Sequence, residues 1–445
     1  MIHAVEVQIL ALLLVASLVA MGARRVGLPY TLALTVAGLV LGFVRVEPLD
    51  QLHLSGDLLL LLFLPALLFE AAFHIRPAEL RRELVPVLTL AVGGVLVAVA
   101  VTTGLLYAGL AWTGLAPGFG WPHALLFAAV ISATDPISVL ALFKELGVGR
   151  RLYLLVEGES LLNDGVAVVV FVIVGAALGF PSSHGAGHAL HGAAEIASFG
   201  VRTFLWMTIG GVVVGLAVGA LASLVTRFTD DHLIEVTLTT LVAYGSFLLA
   251  EQIHASGVLS TVSAGIFLGS VGQKYGMSAS TRLAVAEFWE YAAFLVNSFI
   301  FLLVGLDLAP GELVRHAPAI AVAFLAVVVA RAVAVYGLLP LAGRIGQPIP
   351  TAWRHVLVWG GLRGSLSMVL ILSVPYSFEG RDLLVALVFG TVAASLFLQG
   401  LTVGPLLTRL GLRTGDATRL PYDLARGRAI AARGALVALD ALEEE

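Results

Sequence analysis

Charge is scarce in this chain. Asp, Glu, Lys and Arg make up 12% of its 445 residues, against roughly a quarter in an average soluble domain. The sequence is 59% hydrophobic, with a mean hydropathy of +1.00. Several of its apolar runs are long enough to cross a bilayer, which excludes a water-soluble fold for most of the chain. Cysteine is absent, and with it go disulfides, thiolate metal sites and cysteine nucleophiles. A net charge of −4 leaves no basic excess to attract nucleic acid. Basic residues are also missing ahead of the first apolar run, Ile9 to Met21, and Arg24 and Arg25 follow it instead. A cleavable signal peptide has the opposite order, so this run is expected to stay as a first span with its N-terminus outside.

A hydrocarbon core about 30 Å thick takes roughly 20 helical residues to cross. On that measure the chain holds thirteen candidate spans, near 5–22, 28–44, 55–73, 85–111, 122–145, 152–179, 203–226, 233–252, 257–272, 287–308, 318–342, 354–375 and 383–407. A cytoplasmic amphipathic tail over 411–445 follows, ending in Glu443, Glu444 and Glu445. Basic residues gather on the cytoplasmic side of membrane proteins. With the N-terminus outside, nineteen of the 25 Lys and Arg residues fall inside, four fall outside (Arg45, Arg202, Arg315 and Arg381), and Arg331 and Arg363 lie within spans. The stretch 181–200, with His184, His188 and His191 among Gly, Ser and Ala, reads as a flexible outside loop.

Five ionisable residues sit deep in spans: Asp135, Glu159, Asp164, Arg331 and Arg363. Each costs at least about 2.5–3.5 kcal/mol at a helix centre, so such residues persist where they pair or carry function. Together they leave one uncompensated negative charge, which calls for a proton or a metal cation.

Asp135 lies in Thr134-Asp135-Pro136. Proline removes a donor and opposes continued helix, and it pushes the preceding residue toward extended backbone. Gly360, Gly361 and Gly364 flank Arg363 and permit a second break. The broken spans are the fifth and the twelfth. Their odd offset puts them in opposite orientations, as an inverted-topology repeat with two crossing broken helices requires.

On the intervening helix Glu159 and Asn163 share a face, as do Ser160 and Asp164. Glu159 and Asp164 point about 140° apart. One carboxylate can then pair inside the protein while the other faces a cavity. Arginines keep their charge and need partners, so Arg331 is assigned to Glu159 and Arg363 to Asp135, leaving Asp164 odd. Glu70, His74, Glu251, Glu290 and Asn297 read as cavity-lining or helix-end polar groups.

These residues resemble a known family. Thr134-Asp135-Pro136, Glu159-Ser160 with Asn163-Asp164, Arg331, Gly360-Gly361-Leu362-Arg363-Gly364, and Phe288-Trp289-Glu290 through Asn297 to Gly305-Leu306 are similar to the monovalent cation/proton antiporters, in particular the electroneutral sodium/proton branch of NhaP type. The likeness runs over roughly residues 5–410. It implies an all-α polytopic transport unit over 1–410, with a core domain mainly at 85–180 and 318–407 and a dimerisation domain mainly at 1–73 and 230–308. It implies a homodimer in the inner cell membrane, no cofactor and no enzyme chemistry. Lipid and regulatory contacts of the tail would be its other partners.

The resemblance further implies that Asp164 binds the cation, helped by Thr134, Ser160, Asn163 and the Asp135 region. Asn163, where the electrogenic branch has a second aspartate, implies one-for-one exchange. Sodium, with lithium beside it, is the expected substrate. Potassium/proton exchange, a proton-coupled solute or anion transporter using the two arginines, and a channel are the rival readings.

Overall fold

The computed structural model describes residues 2–26, 29–44, 59–180, 193–228, 231–308, 310–413 and 427–433. Every regular element among the described residues is helical. His184, His188 and His191, Arg45 and the terminal glutamates lie outside the described residues, as does the tail apart from residues 411–413 and a short helix over 427–433.

In chain order the principal helices are α1 (Ile2–Val26), α2 (Tyr30–Val44), α3 (Leu64–His74), α4 (Leu84–Thr113), α5 (Trp121–Val130), α6 (Ile137–Leu146), α7 (Arg150–Ala177), α8 (Ala193–Val225), α9 (His232–Gln252), α10 (Gly257–Phe267), α11 (Ala279–Asp307), α12 (Ala317–Ala342), α13 (Thr351–Trp359), α14 (Ser365–Leu372) and α15 (Arg381–Arg409). Seven stretches are long and apolar enough to cross a membrane, and four shorter apolar helices accompany them. With α5/α6 and α13/α14 each taken as one interrupted span, the order reproduces the thirteen expected from hydropathy. Boundaries moved at two places. α8 begins at Ala193, so part of the expected 181–200 loop is helix, and α11 begins at Ala279, ahead of the expected 287.

Local chemistry sets the ends. Gly114 and Gly147 close α4 and α6 in left-handed conformation, at φ 66° and 67°, where a Cβ would clash. The side chains of Asp231, Ser256 and Ser278 accept from the first free N–H groups of α9, α10 and α11, as N-caps do.

The helices pack as two groups. α1, α2, α3 and α8–α11 lie together, and α4–α7 lie with α12–α15. α7 bridges them, touching α3, α8 and α10 as well as α4 and α5. The first group has its own apolar centre, where Phe69, Phe73 and Trp289 stack and Trp289 Nε1 donates to Thr239 Oγ1 at 3.0 Å. At the α2–α11 crossing Gly38 faces Gly305. A Cβ on either would fall inside the other helix's backbone.

Candidate functional site

The two breaks meet. Residues 131–136 and 360–364 are non-helical, and the Asp135 N–H donates to the Leu362 carbonyl at 2.8 Å. Breaking a helix frees backbone groups that must find partners away from water, and here several of them do. Arg363 Nη1 donates to the carbonyls of Ser132 (2.8 Å) and Ala133 (3.1 Å). Ser160 Oγ donates to the Thr134 carbonyl at 2.6 Å. Arg331 Nε donates to the Leu357 carbonyl at 3.1 Å, and Ser395 Oγ accepts from the Arg363 N–H at 3.1 Å.

One expected ion pair is present. Arg331 Nη1 and Nη2 each donate to a different Glu159 oxygen at 2.8 Å, with both residues buried. The two-pronged geometry satisfies both carboxylate oxygens.

The pairing expected between Arg363 and Asp135 is not formed. Arg363 serves the exposed carbonyls at the C-terminal end of α5, the negative end of that helix, through the contacts given above. Asp135 instead turns to the N-terminus of α6, where its Oδ1 accepts from the Ile137 N–H at 3.0 Å. Its Oδ2 has no hydrogen-bond partner and lies against Gly364. Each charge is met by a helix end rather than by the other. The carbonyls of residues 132–134 are likewise engaged by Arg363 and Ser160.

A cavity of about 1160 Å³ runs between the two helix groups and ends at these breaks. Thr134, Asp135, Ser160 and Asp164 line it, as do Tyr30, Glu70, His74, Glu290 and Asn297 from the other group. Its mouth carries Arg76, Lys144 and Arg150, three residues of the side that the positive-inside count places in the cytoplasm. Asp164 Oδ1 has no hydrogen-bond partner among the described residues. Oxygen is the only ligand type presented at this end by Asp164, Asp135, Ser160 and Thr134, a donor set that suits a hard monovalent cation.

Asn163 does not line the cavity. It is buried, and its Nδ2 donates to Thr134 Oγ1 at 3.1 Å and to Glu159 Oε1 at 3.4 Å. It therefore ties the first break to the ion pair instead of presenting itself to a cation. Glu251 is a helix-end group as expected, its Oε1 accepting from the Gly257 N–H at 3.2 Å. Glu70 sits 3.4 Å from His74 one turn along α3. Glu157, Tyr153 and Lys144 also line the cavity. Sequence reasoning passed over Glu157 although its spacing of seven from Asp164 places both on one helical face.

Comparison with known proteins agrees with this architecture. The profile described as "Sodium/hydrogen exchanger, transmembrane" matches residues 10–409. The Na(+)/H(+) antiporter ApNhaP of Aphanothece halophytica is 41% identical over 421 residues, covering 93% of this chain and 76% of that protein. The Na(+)/H(+) antiporter NhaH of Halobacillus dabanensis is 38% identical over 417 residues, covering 92% of this chain and 99% of that protein. The solved structure of the sodium proton antiporter MjNhaP1 from Methanocaldococcus jannaschii at pH 8 superposes with a TM-score of 0.71 at 22% identity, over 92% of this chain and 99% of that one.

Proposed function

The chain belongs to the sodium/hydrogen exchanger transmembrane family, a multi-pass membrane family, and from that premise we propose that it exchanges sodium for protons, one for one, at Asp164. The observation that carries the reading is Asp164 itself: a carboxylate at the closed end of the cavity, with one oxygen that has no hydrogen-bond partner among the described residues. An uncompensated carboxylate in a low dielectric takes up a cation or a proton. Both compete for the same oxygens, so one is carried at a time. Ser160 and Thr134 supply neutral oxygens, and Asp135 supplies a second carboxylate whose charge the α6 N-terminus moderates.

Alternating access follows if the group holding the breaks, α4–α7 with α12–α15, moves against the other group as a core domain. In that scheme the second group forms the dimer contact of a homodimer, and the two broken spans belong to inverted repeats. The basic cavity mouth then faces the cytoplasm of a cell whose inner membrane holds the protein, and the geometry is that of an inward-facing state. The anion-path alternative is disfavoured, because neither Arg331 nor Arg363 lines the cavity.

The test uses proteoliposomes with an acidic interior and a pH-sensitive dye, with sodium, lithium or potassium added outside and the membrane potential clamped or free. Alkalinisation on adding sodium, indifferent to the clamp and lost in Asp164→Asn, is the expected result. A response to potassium alone changes the substrate and keeps the mechanism. Exchange that survives in folded Asp164→Asn overturns the assignment.

A further inference from the structure

Glu157 lies on the wall of the cavity between its mouth and its closed end. Tyr153, Glu157, Ser160, Leu161 and Asp164 all line the cavity from α7, at the spacing that makes one helical stripe. Glu157 stands seven residues before Asp164, about 10 Å along the helix. It is 7% exposed, and its Oε2 has no hydrogen-bond partner among the described residues. Tyr153 lies one turn before it on the same face. A buried carboxylate on a cavity wall, with an oxygen left without a partner, is costly unless it serves a passing charge.

The charges around it leave the passage negative. Arg150 and Arg76 both pair with Glu79, at 3.0 and 3.3 Å, and Arg150 also stands 5.2 Å from the centre of the Tyr153 ring. Lys144 from α6 stands 6.0 Å from the centre of the Tyr153 ring. Against it are Glu157, Glu70 from α3 and Glu290 from α11, with His74 at 3.4 Å from Glu70 as the other titratable neighbour. Among the described residues no three acidic or imidazole groups converge closely enough to hold a metal ion. The arrangement attracts a cation without trapping it.

We propose that Glu157 is an entry station: a carboxylate that draws the transported cation from the cavity mouth and passes it to Asp164. The inference rests on Asp164 being the carrier carboxylate. Acting only along the cavity, Glu157 affects sodium approaching from that side and leaves the opposite side untouched.

The experiment compares everted with right-side-out membrane vesicles, measuring the sodium dependence of proton exchange for wild type, Glu157→Gln and Glu157→Asp. Glu157→Gln is expected to raise the sodium KM at least about five-fold from the cavity side, with a much smaller change in the saturated rate and no change in KM from the other side. Glu157→Asp keeps the charge and restores the cavity-side KM. An unchanged KM, a KM raised equally on both sides, or a loss of exchange that Glu157→Asp does not restore overturns the proposal and makes Glu157 a packing residue. None of these results disturbs the Asp164 reading, which Asp164→Asn tests separately.

Discussion

Arg331 and Glu159 are joined by two parallel hydrogen bonds of 2.8 Å although 172 residues separate them in the chain. The pair links α12 to α7, and Arg331 Nε extends it to the end of α13 through the Leu357 carbonyl. Removing one partner leaves an uncompensated charge in a buried site, which costs about 3–5 kcal/mol. Glu159→Gln is therefore expected to lower the thermal unfolding midpoint in detergent markedly. Glu159→Leu combined with Arg331→Met should recover much of the loss, since an apolar replacement of similar volume often matches a buried ion pair. A double variant less stable than Glu159→Gln alone would contradict this account.

Gly364 leaves the room that Asp135 occupies. A Cβ at 364 would collide with the Asp135 carboxylate. Gly364→Ala is expected to abolish exchange while the protein remains folded, because the displaced group is a site residue and not core packing. Sodium-driven proton flux in proteoliposomes, read beside a size-exclusion profile, checks both parts. Gly361→Ala should be milder, as its Cβ would meet Arg331 Nε at 3.0 Å.

Ser160 holds the first break by donating to the Thr134 carbonyl, which leaves its oxygen lone pairs toward the cavity. Ser160→Ala removes one hydrogen bond and, in the proposed site, one neutral ligand, each worth about 1 kcal/mol. The sodium KM should rise about ten-fold, corresponding to ~1.4 kcal/mol, with a smaller fall in the saturated rate. A titration of initial rate against sodium concentration separates the two.

Asn163 sits between Thr134 Oγ1 and Glu159 and donates to both. An aspartate there cannot donate and places a second carboxylate beside Glu159. Asn163→Asp is expected to lose stability and exchange together rather than to gain a second carried proton. Flux measured with and without a clamped potential tells the outcomes apart: active, potential-driven exchange would refute the expectation.

Much of the fold was legible in the sequence because lipid imposes strong rules. Apolar length and the distribution of Arg and Lys located the spans, and Pro136 with Gly360, Gly361 and Gly364 located both breaks. The Glu159–Arg331 pair followed from charge balance. The same arithmetic misassigned Arg363 to Asp135, because it counted formal charges and left out helix ends. A broken helix carries partial charge at its cut ends, and here Arg363 and Asp135 each answer one of those. Asn163 was placed among the cation ligands by family resemblance, while its helical spacing already put it on the face of Glu159, about 100° from Asp164. Apolar length also misses helical turns that are polar or small, which is why the start of α8, Ala193-Ala194-Glu195-Ile196-Ala197-Ser198, was taken as loop.

The glycine crossing of α2 and α11 has a mechanical consequence. Backbones in contact at Gly38 and Gly305 leave no gap for either helix to slide or roll, and Trp289 with its aromatic neighbours locks the same α11 to α3. In the alternating-access scheme proposed above, these helices are the stator. The stroke is then taken up along the α7 seam, where the cavity opens between the two groups.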